Sequence, residues 1–233
     1  MSQQLPRTIP HRWLYALAIT MALATGVEAW SASLPFINEL HYDNAGGDEG
    51  EGVEILASAG TSLDGWSLVL YNGSNGAVYA SNTLTGIVSD QVSGVGTVFF
   101  ALPGLQNGPD GLALVSNLGE VVQFLSYEGS FLATDGPAAM QLSTDIGVSE
   151  GSDSAPGTSL QLVGRGRSAQ DFSWVSGTAA SYGALNAQQE IATVPLPASA
   201  GLFAMALAGL GSLTRRRPLL ADRKKGPAQR LPR

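Results

Sequence analysis

Six oxygen-bearing side chains crowd into residues 43–54: Asp43, Asn44, Asp48, Glu49, Glu51 and Glu54. Glycines 46, 47, 50 and 52 run between them, so no regular element passes through the stretch. Hard oxygens on a pliable backbone suit a hard cation, and Asp43, Asp48, Glu49 and Glu51 are the candidate ligands for Ca²⁺. The order is not that of an EF-hand loop, and a solvated acidic turn is the competing reading. His41 lies just before this loop, between Glu39 and Asp43 on what alternation marks as the polar side of a strand, and is expected to be an exposed surface group. The chain has no cysteine and one other histidine, His11, so zinc and copper sites are poorly supplied.

Two further motifs fail on context. Gly147-Val-Ser-Glu-Gly151 has the form of a nucleophile elbow, but that device needs a helix after the serine and a histidine later in the chain. Gly164-Arg-Gly-Arg-Ser-Ala169 has the look of a truncated phosphate loop, but a strand, Asp171-Phe-Ser-Trp174, follows where a helix N-terminus is needed. The first is expected to be a polar loop, the second a turn whose two arginines pair with nearby carboxylates. Asn72-Gly-Ser74 reads as a turn rather than a glycosylation site. No catalytic constellation is left, and the chain is not expected to be an enzyme.

The elements that must carry these residues are all strands. Phe36, Leu40 and Tyr42 alternate with Glu39, His41 and Asp43, and Val53–Leu56 resumes after the acidic loop. Gly65–Tyr71 and Ala77–Ala80 flank a turn-rich Asn72–Gly76 and predict a hairpin. Residues 97–102, 112–115, 120–125, 140–142, 159–163 and 172–175 complete the set. Short strands between frequent turn signals, with no amphipathic helix, predict an all-β sandwich over residues 34–189, with Trp66 and Trp174 in its core.

Both ends of the 233-residue chain read differently. Residues 1–29 have the form of a secretory signal peptide and its helix: Arg7 and Arg12, an apolar run from Trp13 to Val27, and small residues Val27 and Ala29 for signal peptidase. Residues 190–197 are linker and sorting motif, the motif being Val194, Pro195, Leu196 and Pro197. Its two prolines break any helix before Ala198. A helix over 198–213 spans roughly 24 Å at about 1.5 Å per residue, a short transmembrane segment. Residues 214–233 form a basic tail opened by Arg215, Arg216 and Arg217, held in the cytoplasm. Charge is partitioned accordingly. Between Trp30 and Glu190 stand seventeen acidic residues and two arginines, a net −15, and this excludes nucleic acid as a partner.

Several stretches carry a family resemblance. Ile37-Asn-Glu-Leu-His-Tyr-Asp-Asn-Ala-Gly46, Leu63-Asp-Gly-Trp-Ser-Leu-Val-Leu-Tyr-Asn72, Gly108-Pro-Asp-Gly-Leu-Ala-Leu-Val115, Asp171-Phe-Ser-Trp174 and Gly183-Ala-Leu-Asn186 resemble the bacterial lamin-tail-like domains. That resemblance implies an immunoglobulin-like β-sandwich, exported and often attached to surface or nuclease proteins. The C-terminal arrangement resembles the PEP-CTERM class of sorting signals in its Val-Pro-Leu-Pro-Ala variant, which implies an exosortase as processing partner. The expectation is a surface-sorted, non-enzymatic binding or structural module of the cell envelope or extracellular matrix, with its ligand unnamed. The alternatives are a calcium-dependent adhesion module, or a nuclease-associated hydrolase using the acidic loop for a divalent metal.

Overall fold

Glycine and polar turns cut residues 35–193, the part of the chain described by this computed structural model, into eleven strands and one 3-10 turn. The strands are β1 (Phe36–His41), β2 (Gly52–Ser58), β3 (Ser67–Asn72), β4 (Ala77–Thr83), β5 (Val95–Ala101), β6 (Asp110–Val115), β7 (Val121–Tyr127), β8 (Thr144–Asp145), β9 (Thr158–Gly166), β10 (Phe172–Ala179) and β11 (Gln189–Ile191). They form two sheets. The first runs β10-β9-β1-β2-β5, with β11 added in parallel to β9, and the second runs β4-β3-β6-β7-β8. The fold is an all-β sandwich. Both sets of end signals lie outside the described residues. These are the signal sequence with Val27 and Ala29, the motif residues Val194, Pro195, Leu196 and Pro197, the 198–213 helix, and Arg215, Arg216 and Arg217. Among the described residues no helix is long and apolar enough to cross a membrane.

Alternation places the core. Leu68 and Leu70 of β3 and Leu112 and Leu114 of β6 meet Val53, Ile55 and Ala57 of β2 and Leu160 of β9 between the sheets. The intervening residues Val69, Tyr71, Ala113 and Val115 face the other way, yet they too are buried. The crossover from β7 to β8 lies over them, bringing in Phe131, Ala133 and Ala138, and the Ala138 N–H donates to the Tyr71 hydroxyl at 2.9 Å. The first sheet is covered in the same way. Phe36 and Leu56 pack outward against Phe172, Leu185 and Ile191. Each sheet is therefore covered on both faces, and β1 and β6 are buried at every position.

Several details depart from the sequence-based expectations. Phe36 does not share a face with Leu40 and Tyr42; Ile37 does. A bulge between Ile37 and Glu39 inserts one residue into β1 and shifts the phase of the alternation. Residues 140–142 are not a strand. Leu142 makes an isolated bridge to Leu132, and the short strand follows at Thr144–Asp145. The chain stays in sheet register through Ile191, within the stretch expected to be linker. Trp66 is buried in the inter-sheet core, whereas Trp174 is half-buried against it. The β3–β4 hairpin forms as expected, with Gly76 at φ 72° so that its N–H reaches the Asn72 carbonyl at 2.7 Å.

Truncating Trp66 leaves a cavity between two covered sheets that have little room to collapse. Trp66→Ala is expected to cost about 3–5 kcal/mol in chemical denaturation. A loss under about 1 kcal/mol would place the indole outside the core.

Candidate functional site

A strand buried on both faces cannot leave its polar side chains in water, and β1 and β2 carry Asn38, Glu39, His41 and Glu54. These residues organise two buried polar networks on the outer side of the first sheet. They also overturn the expectation of an exposed His41, which is 2% exposed.

The first network is centred on His41. Its Nδ1 lies 2.8 Å from Oε1 of Glu150, and its Nε2 lies 3.1 Å from Oδ1 of Asn44 and 3.0 Å from the Glu49 carbonyl. Asn44 Oδ1 also accepts the Glu49 N–H at 3.1 Å, while its Nδ2 donates to the Gly47 and Ala45 carbonyls. Every partner offers the imidazole an acceptor, and beside an ionised Glu150 the bonds are all made when both ring nitrogens carry a proton. The bond to Glu150 is the main cause of an imidazole pKa above its ordinary value, outweighing the opposing effect of burial. The other Glu150 oxygen accepts the Tyr42 N–H at 2.8 Å. The Tyr42 hydroxyl donates to Glu128 Oε1 at 2.8 Å and accepts the Glu150 N–H at 2.8 Å. Its ring stacks on Tyr127 at 3.9 Å. A single ion pair therefore ties the start of the acidic loop to the loop that precedes β9.

The second network lies under the segment between β10 and β11. Glu39 and Glu54 stand directly opposite each other across β1 and β2. Glu39 accepts from the Ser159 hydroxyl, Gln161 Nε2, and the Ser181 N–H and hydroxyl. Glu54 accepts from Asn38 Nδ2 at 3.0 Å and the Gly183 N–H at 2.6 Å. Asn186 Nδ2 donates to the Leu162 and Asn38 carbonyls. All the donors are neutral. Burial, reinforced by the facing charge of Glu39, pushes the Glu54 carboxyl up to about 7.

The four candidate calcium ligands do not act as one group. Asp43 and Asp48 are neighbours: the Asp43 pKa is raised, first by burial and then by the Asp48 charge, with Glu150 and Glu128 adding to it. Glu51 turns away and accepts the Gly104 N–H, and Leu102 donates to its carbonyl. Glu49 is exposed and engages His41 and Asn44 through its backbone. Among the described residues no three His, Asp or Glu side chains form a group that could hold a metal ion.

The remaining motifs belong to strand ends and loops. Ser149 is exposed, no helix follows it, and the histidine bonds to its neighbour Glu150 instead. Of residues 164–169, expected to form a turn, Gly164–Gly166 instead finish β9; Arg165 pairs with Glu190 at 3.2 Å, as expected, but the Arg167 guanidinium donates to the Ala192 and Ser93 carbonyls and not to a carboxylate. Asp171 closes the turn by accepting the N–H groups of Arg167 and Ser168 and the Ser168 hydroxyl. The comparisons add no relative: no family model, curated protein or solved structure matches the chain.

Glu150, Glu128, Ser181 and Asn186 were not legible as partners, because nothing local in their segments announces a contact across the sheet. Glu54 did carry a signal. It interrupts the apolar run Val53–Ala57, whose residues Ile55 and Leu56 need two different covered faces, so Glu54, which shares the face of Leu56, had to be buried.

The pH dependence of stability follows from these environments. The folded state holds the Glu54 proton up to about pH 7, against the ordinary value of 4.5, so folding is most favourable below 4.5 and weakens as pH rises to about 7. Asp110, raised by burial to about 6 from 3.8, acts in the same sense. The stability that His41 gains from Glu150 is complete below 6.5 and is lost as pH rises through its higher folded value. Asp171 opposes them only in strong acid, losing its contribution as pH falls below 3.8. The melting temperature should therefore be higher near pH 5 than near pH 8. Glu54→Gln should remove on the order of 2–3 kcal/mol of that difference. A flat profile in the native chain, or one unchanged by Glu54→Gln, would contradict the assignment.

Proposed function

We propose that this chain is a lamin-tail-like, immunoglobulin-like sandwich, exported and sorted to the cell envelope or extracellular matrix, where it serves as a binding or structural module without catalysis of its own. One observation carries the non-catalytic part. The side chains best suited to acid–base chemistry, His41, Glu150, Glu39 and Glu54, are each almost wholly buried and spend their hydrogen bonds on neighbouring loops. A general base must reach a substrate proton. These groups reach only the protein. Sorting rests on the sequence of the ends. Val27 and Ala29 suit a signal peptidase, and the run Val194, Pro195, Leu196, Pro197, followed by an apolar segment and the Arg215–Arg217 cluster, suits an exosortase.

A calcium-dependent adhesion module is the second reading, favoured by the mutual repulsion of Asp43 and Asp48 at an exposed, glycine-rich loop. A hard divalent cation would relieve that repulsion, with Glu49 and Glu51 joining only if the loop rearranged. Calcium titration of the melting temperature separates the two readings.

Processing tests the sorting claim. Protein recovered from the native host should begin near Trp30 and lack everything after about Pro197 in intact-mass spectrometry. An extracellular form that still carries Arg215–Arg233 would overturn it.

A further inference from the structure

Three Asn-Gly pairs stand among the described residues: Asn72-Gly73, Asn75-Gly76 and Asn107-Gly108. In such a pair no side chain shields the peptide nitrogen after the asparagine, and that nitrogen can attack the side-chain amide. The attack needs a base for the N–H proton, donors for the developing oxyanion, and a carbonyl held beside the nitrogen. Among these pairs Asn72-Gly73 alone has all three.

Gly73 follows the end of β3, and packing keeps it a glycine, since a Cβ there would lie 2.1 Å from the Pro109 carbonyl oxygen. Its N–H donates to Oδ1 of Asp110 at 2.7 Å. Asp110 opens β6 directly opposite Asn72, is 3% exposed, and has an Oδ2 with no hydrogen-bond partner among the described residues. Burial first, and then the Glu128 charge, raise its pKa to about 6. At neutral pH it is therefore ionised, yet a stronger base than an ordinary carboxylate. Oδ1 of Asn72 accepts the Ser74 N–H at 3.0 Å and also the Ser74 hydroxyl, so two donors already sit on the atom that would become the oxyanion. The first of these bonds closes an Asx turn, which folds the side-chain carbonyl back toward the Gly73 nitrogen. Nδ2 donates to Gln106 Oε1 at 2.8 Å, at the surface, where ammonia can depart. The other two pairs lack parts. The Gly76 N–H is spent on the Asn72 carbonyl at 2.7 Å, a far weaker base than a carboxylate, and Asn75 Oδ1 accepts the Ala77 N–H. Asn107 is exposed, and the Gly108 N–H makes no hydrogen bond among the described residues.

We propose that Asn72-Gly73 is a self-modification site, at which the chain converts Asn72 through a cyclic imide to aspartate and isoaspartate. The Gly73 nitrogen bonds to Cγ of Asn72 as its proton passes to Asp110. Negative charge gathers on Oδ1 between the two Ser74 donors. Collapse breaks the Cγ–Nδ2 bond, and Nδ2 leaves as ammonia with the proton that Asp110 returns. Water then opens the imide at either carbonyl, giving aspartate or isoaspartate. Asp110 ends as it began, and the reaction acts on the chain itself without turning over a substrate. The product places a carboxylate where Nδ2 held Gln106, which breaks the tie between the β3–β4 hairpin and the loop before β6.

Peptide mapping by mass spectrometry of the whole chain, held at neutral pH over hours to days, tests the proposal. Residue 72 should first lose the mass of ammonia and then gain that of water, ahead of residues 75 and 107. Asp110→Asn keeps the shape and an acceptor for the Gly73 N–H but removes the base, and should slow residue 72 about a hundredfold while residue 107 keeps its rate. Where that variant melts below the native chain, Ser74→Ala decides instead. It removes one oxyanion donor at an exposed position and should slow residue 72 about tenfold or more. A residue 72 that converts no faster than residue 107, or at an unchanged rate in the deciding variant, would overturn the proposal.

Discussion

The structure depends on one constraint: the central strands of the first sheet are covered on both sides, and everything polar on them must find a partner inside. His41 is where that constraint bites hardest. A buried imidazole surrounded by acceptors is stable only as the cation, and a buried cation is stable only beside its counter-ion, which Glu150 supplies at 2.8 Å. Removing either partner would strand a charge. Because Glu150 also receives the Tyr42 N–H, and Tyr42 in turn receives the Glu150 N–H, the pair does more than neutralise itself. It fixes the path of two loops that have no regular structure of their own.

The carboxylates opposite each other on β1 and β2 show the same constraint without a cation. Glu39 and Glu54 are held by neutral donors, several of them on the segment that leads from β10 to β11. That segment covers the sheet because it completes the hydrogen bonding of two buried acids, and the acids are tolerated because it does. The arrangement is less stable when Glu54 is ionised, which links the cover of the first sheet to mild acidity. Buried polar layers of this kind add less to stability than apolar packing would, but they admit one register of cover on sheet.

Alternation and turn chemistry made the all-β class, the β3–β4 hairpin, the β1–β2 pair around the acidic loop and the burial of Trp66 legible in the sequence. Phase and partners were not legible. The extra residue between Ile37 and Glu39 moved Phe36 to the other face, and no residue type marks a bulge there. Alternation also assumed that a polar face is a wet face, which failed at His41, Glu39 and Glu54 because the residues that cover them, Glu150 and the segment 181–191, lie far along the chain. The acidic loop was read as one cluster of ligands, whereas its residues divide: Asp43 and Asp48 face each other, and Glu51 bonds to Gly104.

His41 is the only histidine between residues 31 and 193, so its ring can be observed without assignment ambiguity. A pH titration of that segment by ¹⁵N–¹H NMR of the imidazole reads the central claim directly. A charged His41 gives two slowly exchanging ring N–H signals at neutral pH and a midpoint above 6.5, with Glu150→Gln lowering it. A single ring N–H, or a midpoint at or below 6.5, would mean that the histidine is neutral and that the ion pair does not organise the loops.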